Sequence, residues 1–265
     1  MILDQIAADT RLRVEAKKKE ISLEEVKRDT QSMEKNTGFP FETALRKPDL
    51  SFICEVKKAS PSKGIIAEEF PYLQIAKEYD EAGADAISCL TEPKYFLGKD
   101  EYLKEIAKEV KIPVLRKDFV VDEYQIYEAK ILGASAVLLI CAILEEEQLK
   151  VYLQIAKELG LSALVEAHDE KEIKQAVRAG AKIIGVNNRN LKDFSVNVGN
   201  STNLRNFVSP EILFVAESGI KGPEDIAALR KNKVDAVLIG ETMMRSPDKA
   251  KMLRFLKGEE HHEES

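Results

Sequence analysis

Four segments of this chain repeat one another: AGADAIS (82–88), LGASAVLLI (132–140), AGAKIIGV (179–186) and NKVDAVLIG (232–240) recur roughly every 50 residues. Each reads as the end of a helix running into a buried strand. In the first three a glycine stops the helix, because glycine enters the left-handed conformation without a Cβ clash, and a β-branched apolar run follows. Four more apolar runs lie between the repeats: FICEVKK (52–58), PVLRKDF (113–119), SALVEAH (162–168) and LFVAESG (213–219). An amphipathic segment follows each one, with the 3.6-residue spacing seen in Tyr72, Ile75, Ala76 and Tyr79 and in Ile173, Ala176 and Val177. Eight strand–helix units imply a parallel sheet. An open doubly wound sheet would announce itself with a Gly-rich dinucleotide fingerprint after its first strand, and this chain has none. The expectation is an α/β fold: a closed (β/α)8 TIM barrel in a single domain.

The first strand begins near Ser51, so residues 1–50 are expected to form an N-terminal helical extension packed on the barrel near its mouth. Within it lie a helical pattern over 2–25 and a loop-like FPFETALRKP (39–48). The barrel is assigned to 51–257 and a disordered acidic tail to 258–265, where His261 and His262 read as tail or tag remnant, not metal ligands. The apolar fraction of 44% supplies a large core, and the 32% of charged residues are spread along the chain. No apolar stretch approaches the ~18–20 residues a bilayer span needs, and residues 1–10 lack a basic region leading into an apolar core. A cytoplasmic location and no membrane partner are expected. Cys54, Cys89 and Cys141 sit singly in apolar runs and read as buried, reduced thiols, with no metal site. A net charge of −6 without a basic stripe argues against nucleic acid. By elimination the partner is a small molecule, and the chain is expected to be a monomer or weak homodimer.

Barrel enzymes carry their active sites at the C-terminal ends of the strands, where side chains converge on one mouth. The first strand ends with Glu55 and Lys57, the third with Lys117, the fifth with Glu166 and the seventh with Glu217, whereas the even strands end almost uncharged. The two-residue period of the first strand sends Ile53, Glu55 and Lys57 to one face and Phe52, Cys54 and Val56 to the other. With the second set facing the helices, two opposite charges are left inside. Burying an ion pair costs several kcal/mol per ion unless geometry and further hydrogen bonds offset it. Glu55, Lys57, Lys117 and Glu166 are therefore candidate functional groups. The alternatives are a structural salt bridge for the first two and solvated strand ends for the others.

Barrels commonly hold phosphate on loop amides and a short helix N-terminus after strands seven and eight. Glu217-Ser218-Gly219-Ile220 and Ile239-Gly240-Glu241-Thr242 stand there. Their glycines let the backbone approach an anion and Ser218 adds a hydroxyl, while Glu241 enters only through its amide because its side chain would repel phosphate. Two ordinary strand-to-helix turns are the alternative. Asn187 and Arg189, in VNNRNL, can bind polar substrate groups; Arg189 can equally form a structural ion pair. His168 reads as a loop residue or a support for the site, not as a catalytic base.

Seven segments in order, EVKKASPSKG (55–64), LTEPKYFLG (90–98), RKDF (116–119), LVEAHD (164–169), IIGVNNRNL (183–191), AESGI (216–220) and LIGETMM (238–244), carry a family resemblance. The chain resembles the indole-3-glycerol phosphate synthases of tryptophan biosynthesis from its N-terminal helices to about Leu256. The resemblance implies a carboxy-lyase that converts 1-(2-carboxyphenylamino)-1-deoxyribulose 5-phosphate to indole-3-glycerol phosphate, releasing carbon dioxide and water, with no metal or organic cofactor. It implies that Lys117 is the acid at the ketone oxygen, its ammonium also stabilising the developing oxyanion. Glu166 matches the carboxylate that exchanges protons during dehydration. Lys57 matches the lysine that contacts the substrate carboxylate or phosphate, or supplies the acid for dehydration, and Glu55 would orient it. Phe96, Phe119, Leu138 and Leu191 would line a slot for the aromatic ring. Ser60, Ser218, Gly219, Gly240 and the amide of Glu241 would hold phosphate. Asn187, near the sugar hydroxyls and carboxylate, and Ser218 count among the catalytic residues, with Arg189 as a further substrate contact. The second Asn of VNNRNL, Asn188, departs from the Ser or Thr that many relatives carry. Two rival readings are a Schiff-base aldolase on a ketose phosphate and a non-catalytic barrel that binds a sugar phosphate.

Overall fold

The computed structural model describes residues 2–189 and 194–259. The helical pattern over 2–25 resolves into two helices, α1 (Ile2–Glu20) and α2 (Leu23–Asp29). Ser22 divides them, because its hydroxyl accepts the Glu25 amide while the Glu25 carboxylate accepts the Ser22 amide, a reciprocal cap that starts a new helix. The loop-like 39–48 holds a third helix, α3 (Pro40–Leu45). Pro40 at its first position suits a helix start, where no amide is needed, and six residues are too few to show a helical period in sequence.

The barrel follows as β1 (Ser51–Val56), α4 (Tyr72–Glu81), β2 (Ala86–Leu90), α5 (Asp100–Glu109), β3 (Val114–Lys117), α6 (Tyr124–Ile131), β4 (Ala136–Ile140) and α7 (Glu146–Glu158). It continues through β5 (Ser162–Ala167), α8 (Glu170–Ala179), β6 (Ile183–Asn187), α9 (Gly199–Leu204), β7 (Leu213–Glu217), α10 (Pro223–Lys231), β8 (Ala236–Ile239), α11 (Glu241–Arg245) and α12 (Lys249–Lys257). All eight strands are parallel, each beside its neighbour in chain order, and β8 closes onto β1 through the register Ser51 to Ala236. The four sequence repeats run into β2, β4, β6 and β8, and the four intervening runs are the odd strands.

The two-residue period holds. Phe52, Cys54 and Val56 join Ile75, Ala76 and Tyr79 in the shell between strands and helices, whereas Ile53 packs inside the barrel with Leu115, Leu164 and Val215. Four side chains from alternate strands make one interior layer of such a barrel. Phe41 and Leu45 of α3 join the interior cluster with 0% exposure and close the N-terminal end. That helix is tied to the strand starts, the Glu42 amide donating to Ser162 Oγ at 3.2 Å and Ser51 Oγ to the Ala44 carbonyl at 3.2 Å.

Each repeat leaves its helix by the same turn, in which an amide reaches back to a carbonyl five residues earlier: Ala84 to Tyr79, Ala134 to Ala129, Ala181 to Ala176 and Val234 to Leu229. Gly83, Gly133 and Gly180 take the left-handed position with φ of 81°, 88° and 91°, but the fourth repeat places Lys233 there at φ 56°. A Cβ in that region costs on the order of 1 kcal/mol, less the entropy a glycine would add to the unfolded chain. Lys233→Gly should therefore stabilise the fold by about 0.5 kcal/mol. Calorimetry should show a melting temperature one or two degrees higher, since ~1 kcal/mol shifts a domain of this size by about 2–4 °C.

Candidate active site

Two residues beyond Ile53, Leu115, Leu164 and Val215 on the same strands come Glu55, Lys117, Glu166 and Glu217, so the next layer of odd-strand side chains is entirely charged. It forms the floor of a cavity of about 890 Å³ at the C-terminal ends of the strands. The Lys117 ammonium lies 3.2 Å from Glu217 and 3.7 Å from Glu55, and Lys57 forms an ion pair with Glu55. Asn187 donates to Glu166 Oε1 at 3.4 Å. The even strands make room: a Cβ built on Gly185 would overlap the Glu217 carboxylate, and one built on Gly240 would overlap both the Glu55 carboxylate and the Lys57 ammonium.

This crowding sets the charge states. Burial disfavours the Lys117 ammonium, but Glu217, Glu55 and Glu166 outweigh it and hold Lys117 protonated well above the usual lysine range. Burial likewise opposes ionisation of Glu55, yet Lys57 and Lys117 keep it below the ordinary carboxylate value. At Glu166 burial is overcome by His168 and Lys117, and the carboxyl comes down to about 2. At Glu217 burial wins. Lys117 opposes it, but Glu166 and Glu55 add like charge and the carboxyl rises to about 7. Among the described residues neither Glu217 oxygen has a hydrogen-bond partner; its contact with Lys117 is an ion pair without good alignment.

One wall of the cavity is apolar. Phe96 and Phe119 stand with ring centroids 5.9 Å apart, and Leu138 lies beside them in the lining. Leu191, expected here too, lies outside the described residues. The opposite wall holds Ser60, Ser218, Gly219, Gly240 and Glu241. Ser218 and Gly219 are consecutive left-handed residues, φ 69° and 83°, and Val196 packs so closely that Gly219 has no space for a Cβ. Asn188 braces this turn, its Nδ2 donating to the Ser218 carbonyl at 3.1 Å while its Oδ1 accepts from Ser201 Oγ at 2.7 Å. The departure from Ser or Thr at this position thus supports the turn without lining the cavity. The Glu241 side chain is engaged by Lys63 at 3.3 Å and Arg245 at 3.1 Å, which leaves its amide at the first turn of α11 for an anion. Arg189 reaches the cavity and donates to the Phe194 carbonyl at 3.3 Å.

The N-terminal helix completes the mouth, with Ile2, Leu3 and Ile6 of α1 in the lining. Arg13 holds α1 down through a single guanidinium nitrogen, Nη2, which donates to both oxygens of Asp118, at 2.8 and 2.9 Å, next to Lys117. Arg116, on the far side of Lys117, is buried among Asp100, Glu128 and the Gln125 carbonyl, and Lys17 of α1 pairs with the same two carboxylates. Sequence reading gave no role to Arg13, Asp118 or Arg116. Arg13 and Asp118 are 105 residues apart, and no local pattern relates them. Among the described residues no cluster of His, Cys, Asp and Glu could hold a metal ion.

Every described residue expected in the site, from Ser60 on one wall to Phe96 on the other, therefore borders a single cavity. The family model for indole-3-glycerol phosphate synthase matches residues 3–256. The chain belongs to this family. It is 58% identical to an indole-3-glycerol phosphate synthase of Ruminiclostridium cellulolyticum, over 97% of this chain and 99% of that protein. It is 55% identical to one of Endomicrobium trichonymphae, over 97% of this chain and 100% of that protein. Among solved structures, KGPDC from Streptococcus mutans superposes with a TM-score of 0.62 at 10% identity, covering 79% of this chain and 96% of that one. Thiamine phosphate pyrophosphorylase from Pyrococcus furiosus gives 0.59 at 18% identity, covering 82% and 96%. At such identities those two share the fold alone.

Two outcomes are expected. Gly240→Ala displaces the Glu55–Lys57 pair while leaving the strands intact, so steady-state assays should show kcat down by about 10- to 100-fold with circular dichroism unchanged. His168 is raised to about 10, because Glu166 and Glu172 outweigh the burial that would discharge it. A raised cation stabilises fully below its unfolded value of 6.5 and loses that contribution as pH rises through about 10. Denaturant titrations should accordingly show the stability gap between wild type and His168→Asn narrowing from pH 6.5 to pH 10.

Proposed function

We propose that the cavity closes the indole ring of 1-(2-carboxyphenylamino)-1-deoxyribulose 5-phosphate, giving indole-3-glycerol phosphate with loss of carbon dioxide and water. The observation that carries this assignment is spatial: an aromatic slot at Phe96 and Phe119, a glycine-rich anion cradle at Ser218–Gly219 and Gly240, and a floor of lysines and carboxylates between them. A molecule with a benzoate at one end, a phosphate at the other and a ketone in the middle spans these three regions in order.

Within this proposal the protein works by folding the substrate and moving protons. With the ring in the slot and the phosphate on the amides of the cradle, the ring carbon bearing the carboxylate faces the ketone. Lys117 donates to the ketone oxygen as the carbon–carbon bond forms. Its surrounding carboxylates keep it charged at neutral pH, so its ammonium also stabilises the oxyanion. The same charge counts against a Schiff-base aldolase, whose lysine must be a free amine to attack a carbonyl. Carbon dioxide leaves as the ring regains aromaticity. The former ketone oxygen then departs as water, with Glu166, ionised at neutral pH, taking up a proton. Lys57, set by Glu55, binds the substrate carboxylate or serves as the acid that helps water leave, and Asn187 and Arg189 hold the polar middle of the substrate. A cytoplasmic location and an assembly no larger than a weak homodimer belong to the same proposal; three buried free thiols are in keeping with a reducing compartment.

The experiment is a stopped assay with that substrate and EDTA, read by indole fluorescence. Wild type should form product. Lys117→Ala and Glu166→Gln should each lose about 10²- to 10⁴-fold in kcat, the range of a lost proton donor or acceptor, while Ser218→Ala should mainly raise KM. Near-normal kcat in Lys117→Ala would remove it from the role of general acid.

A further inference from the structure

Outside the lining of the cavity, at the end of β5, stands a side chain that the mechanism above leaves unused. His168 lies two residues beyond Glu166; its Nδ1 hydrogen-bonds Glu172 Oε2 on α8 at 3.0 Å, and its buried Nε2 stands 3.3 Å from Glu166 Oε1 as an ion pair without hydrogen-bond alignment. Glu172 also accepts the His168 amide at 2.8 Å, and its own amide donates to the Asp169 carboxylate at 2.9 Å, so the Glu172 carboxylate is pinned at the start of the helix. An imidazole protonated at both nitrogens sets a positive charge between the two carboxylates, whereas either neutral tautomer leaves one ring nitrogen a lone pair facing a carboxylate. The remaining groups nearby leave this arrangement alone. Asp169 is engaged by the Glu172 amide, Asn200 of α9 donates its neutral amide to the His168 carbonyl, and the Cys141 thiol, pushed by burial to about 12, is uncharged. On the cavity side Glu166 meets Asn187 and the charge of Lys117. The contacts from His168 and Asn187 both fall on Oε1 of Glu166, which leaves Oε2 for a substrate.

We propose that His168 is a positioning residue for the reaction: as an imidazolium braced by Glu172, it fixes one oxygen of Glu166 and keeps that carboxylate charged and ready to accept a proton. This rests on the reading that Glu166 exchanges protons with the substrate. The burial that would otherwise neutralise Glu166 is overcome in the first place by His168, ahead of Lys117.

The test compares pH profiles of kcat for wild type, His168→Asn, His168→Gln, Glu172→Gln and Glu166→Gln between pH 5 and pH 8. Taking each variant as a ratio to wild type cancels the titration of Glu217, which all but share. His168→Asn should lower kcat about ten-fold at pH 8, part of the ~10²–10⁴-fold that general acid–base catalysis contributes. Its ratio to wild type should drop a further five-fold or so toward pH 5, as burial, no longer offset by His168, raises the Glu166 carboxyl. His168→Gln keeps an N–H donor without the charge. It should recover part of the rate at pH 8 and still show the decline. Glu172→Gln should show a weaker decline, and it carries the test with His168→Gln if His168→Asn does not fold. A flat ratio in these variants, whether or not kcat is lower throughout, overturns the proposal and makes His168 a structural residue. An inactive Glu166→Gln alongside flat ratios leaves the role of Glu166 standing. An active Glu166→Gln removes that role and this inference together.

Discussion

The architecture turns on Lys117 being surrounded. Three carboxylates, Glu55, Glu166 and Glu217, and two ammonium groups, Lys57 and Lys117, share the open end of an otherwise apolar barrel. Any one of them alone would be too costly to keep there in its charged form. As a group they are tolerable, and the arithmetic of the group decides where the discomfort lies. With one carboxylate more than ammonium, the surplus falls on the member least well solvated by the protein. Glu217 has Lys117 for an ion-pair partner and no hydrogen bond from the described residues, so its proton comes and goes near neutrality. The field at Lys117 therefore depends on a neighbour whose carboxyl the same crowding pushes up from its ordinary value.

Holding such a cluster in register is a problem of space and of leverage. Space comes from the even strands, where Gly185 and Gly240 give up their side chains to carboxylates arriving from the odd ones. Leverage comes from the other face of β3. Arg116 points outward from the residue before Lys117 into Asp100 and Glu128, and Asp118, the residue after, is gripped by Arg13. Lys117 thus sits between two anchored neighbours, and the anchors belong partly to α1, whose first turn also walls the cavity. The helix before the barrel and the lysine inside it are coupled through ion pairs that are themselves largely removed from water, where such pairs are most directional.

What could be read from the amino-acid order follows the range over which each signal acts. The barrel was legible because one supersecondary unit is written several times with the same turn chemistry, and repetition survives local exceptions such as Lys233. The inward charges were legible because a strand has a strict period, so Ile53 and Glu55 must share a face. The loop-like 39–48 hid a helix because one and a half turns show no period and its proline reads as punctuation. His168 read as either a loop residue or a support for the site because its partners are of two kinds: Glu172 is four residues away on a helix start, but the decisive neighbour, Glu166, meets it only because the strand ends and the chain bends there. Glu217 was visible as a strand-end charge, yet its raised proton affinity comes from burial and from carboxylates on two other strands, Glu166 and Glu55. The clamp from Arg13 to Asp118 has no sequence signature, since only the closed barrel brings those positions together.

The stopper at the base of the barrel gives the vessel a direction. Phe41 and Leu45 shut the N-terminal end, so the charged floor communicates with solvent through the upper opening between α1 and the turns after β1, β6 and β8. In the proposed reaction, substrate, carbon dioxide, water and product pass through that opening. Gas and water can slip past a seated ligand whose two ends are gripped; the product cannot move until the cradle lets go of its phosphate. A barrel open at both ends would allow independent exits, whereas in the proposed reaction this one would make departure sequential, with the hold on phosphate setting when the site is next vacant.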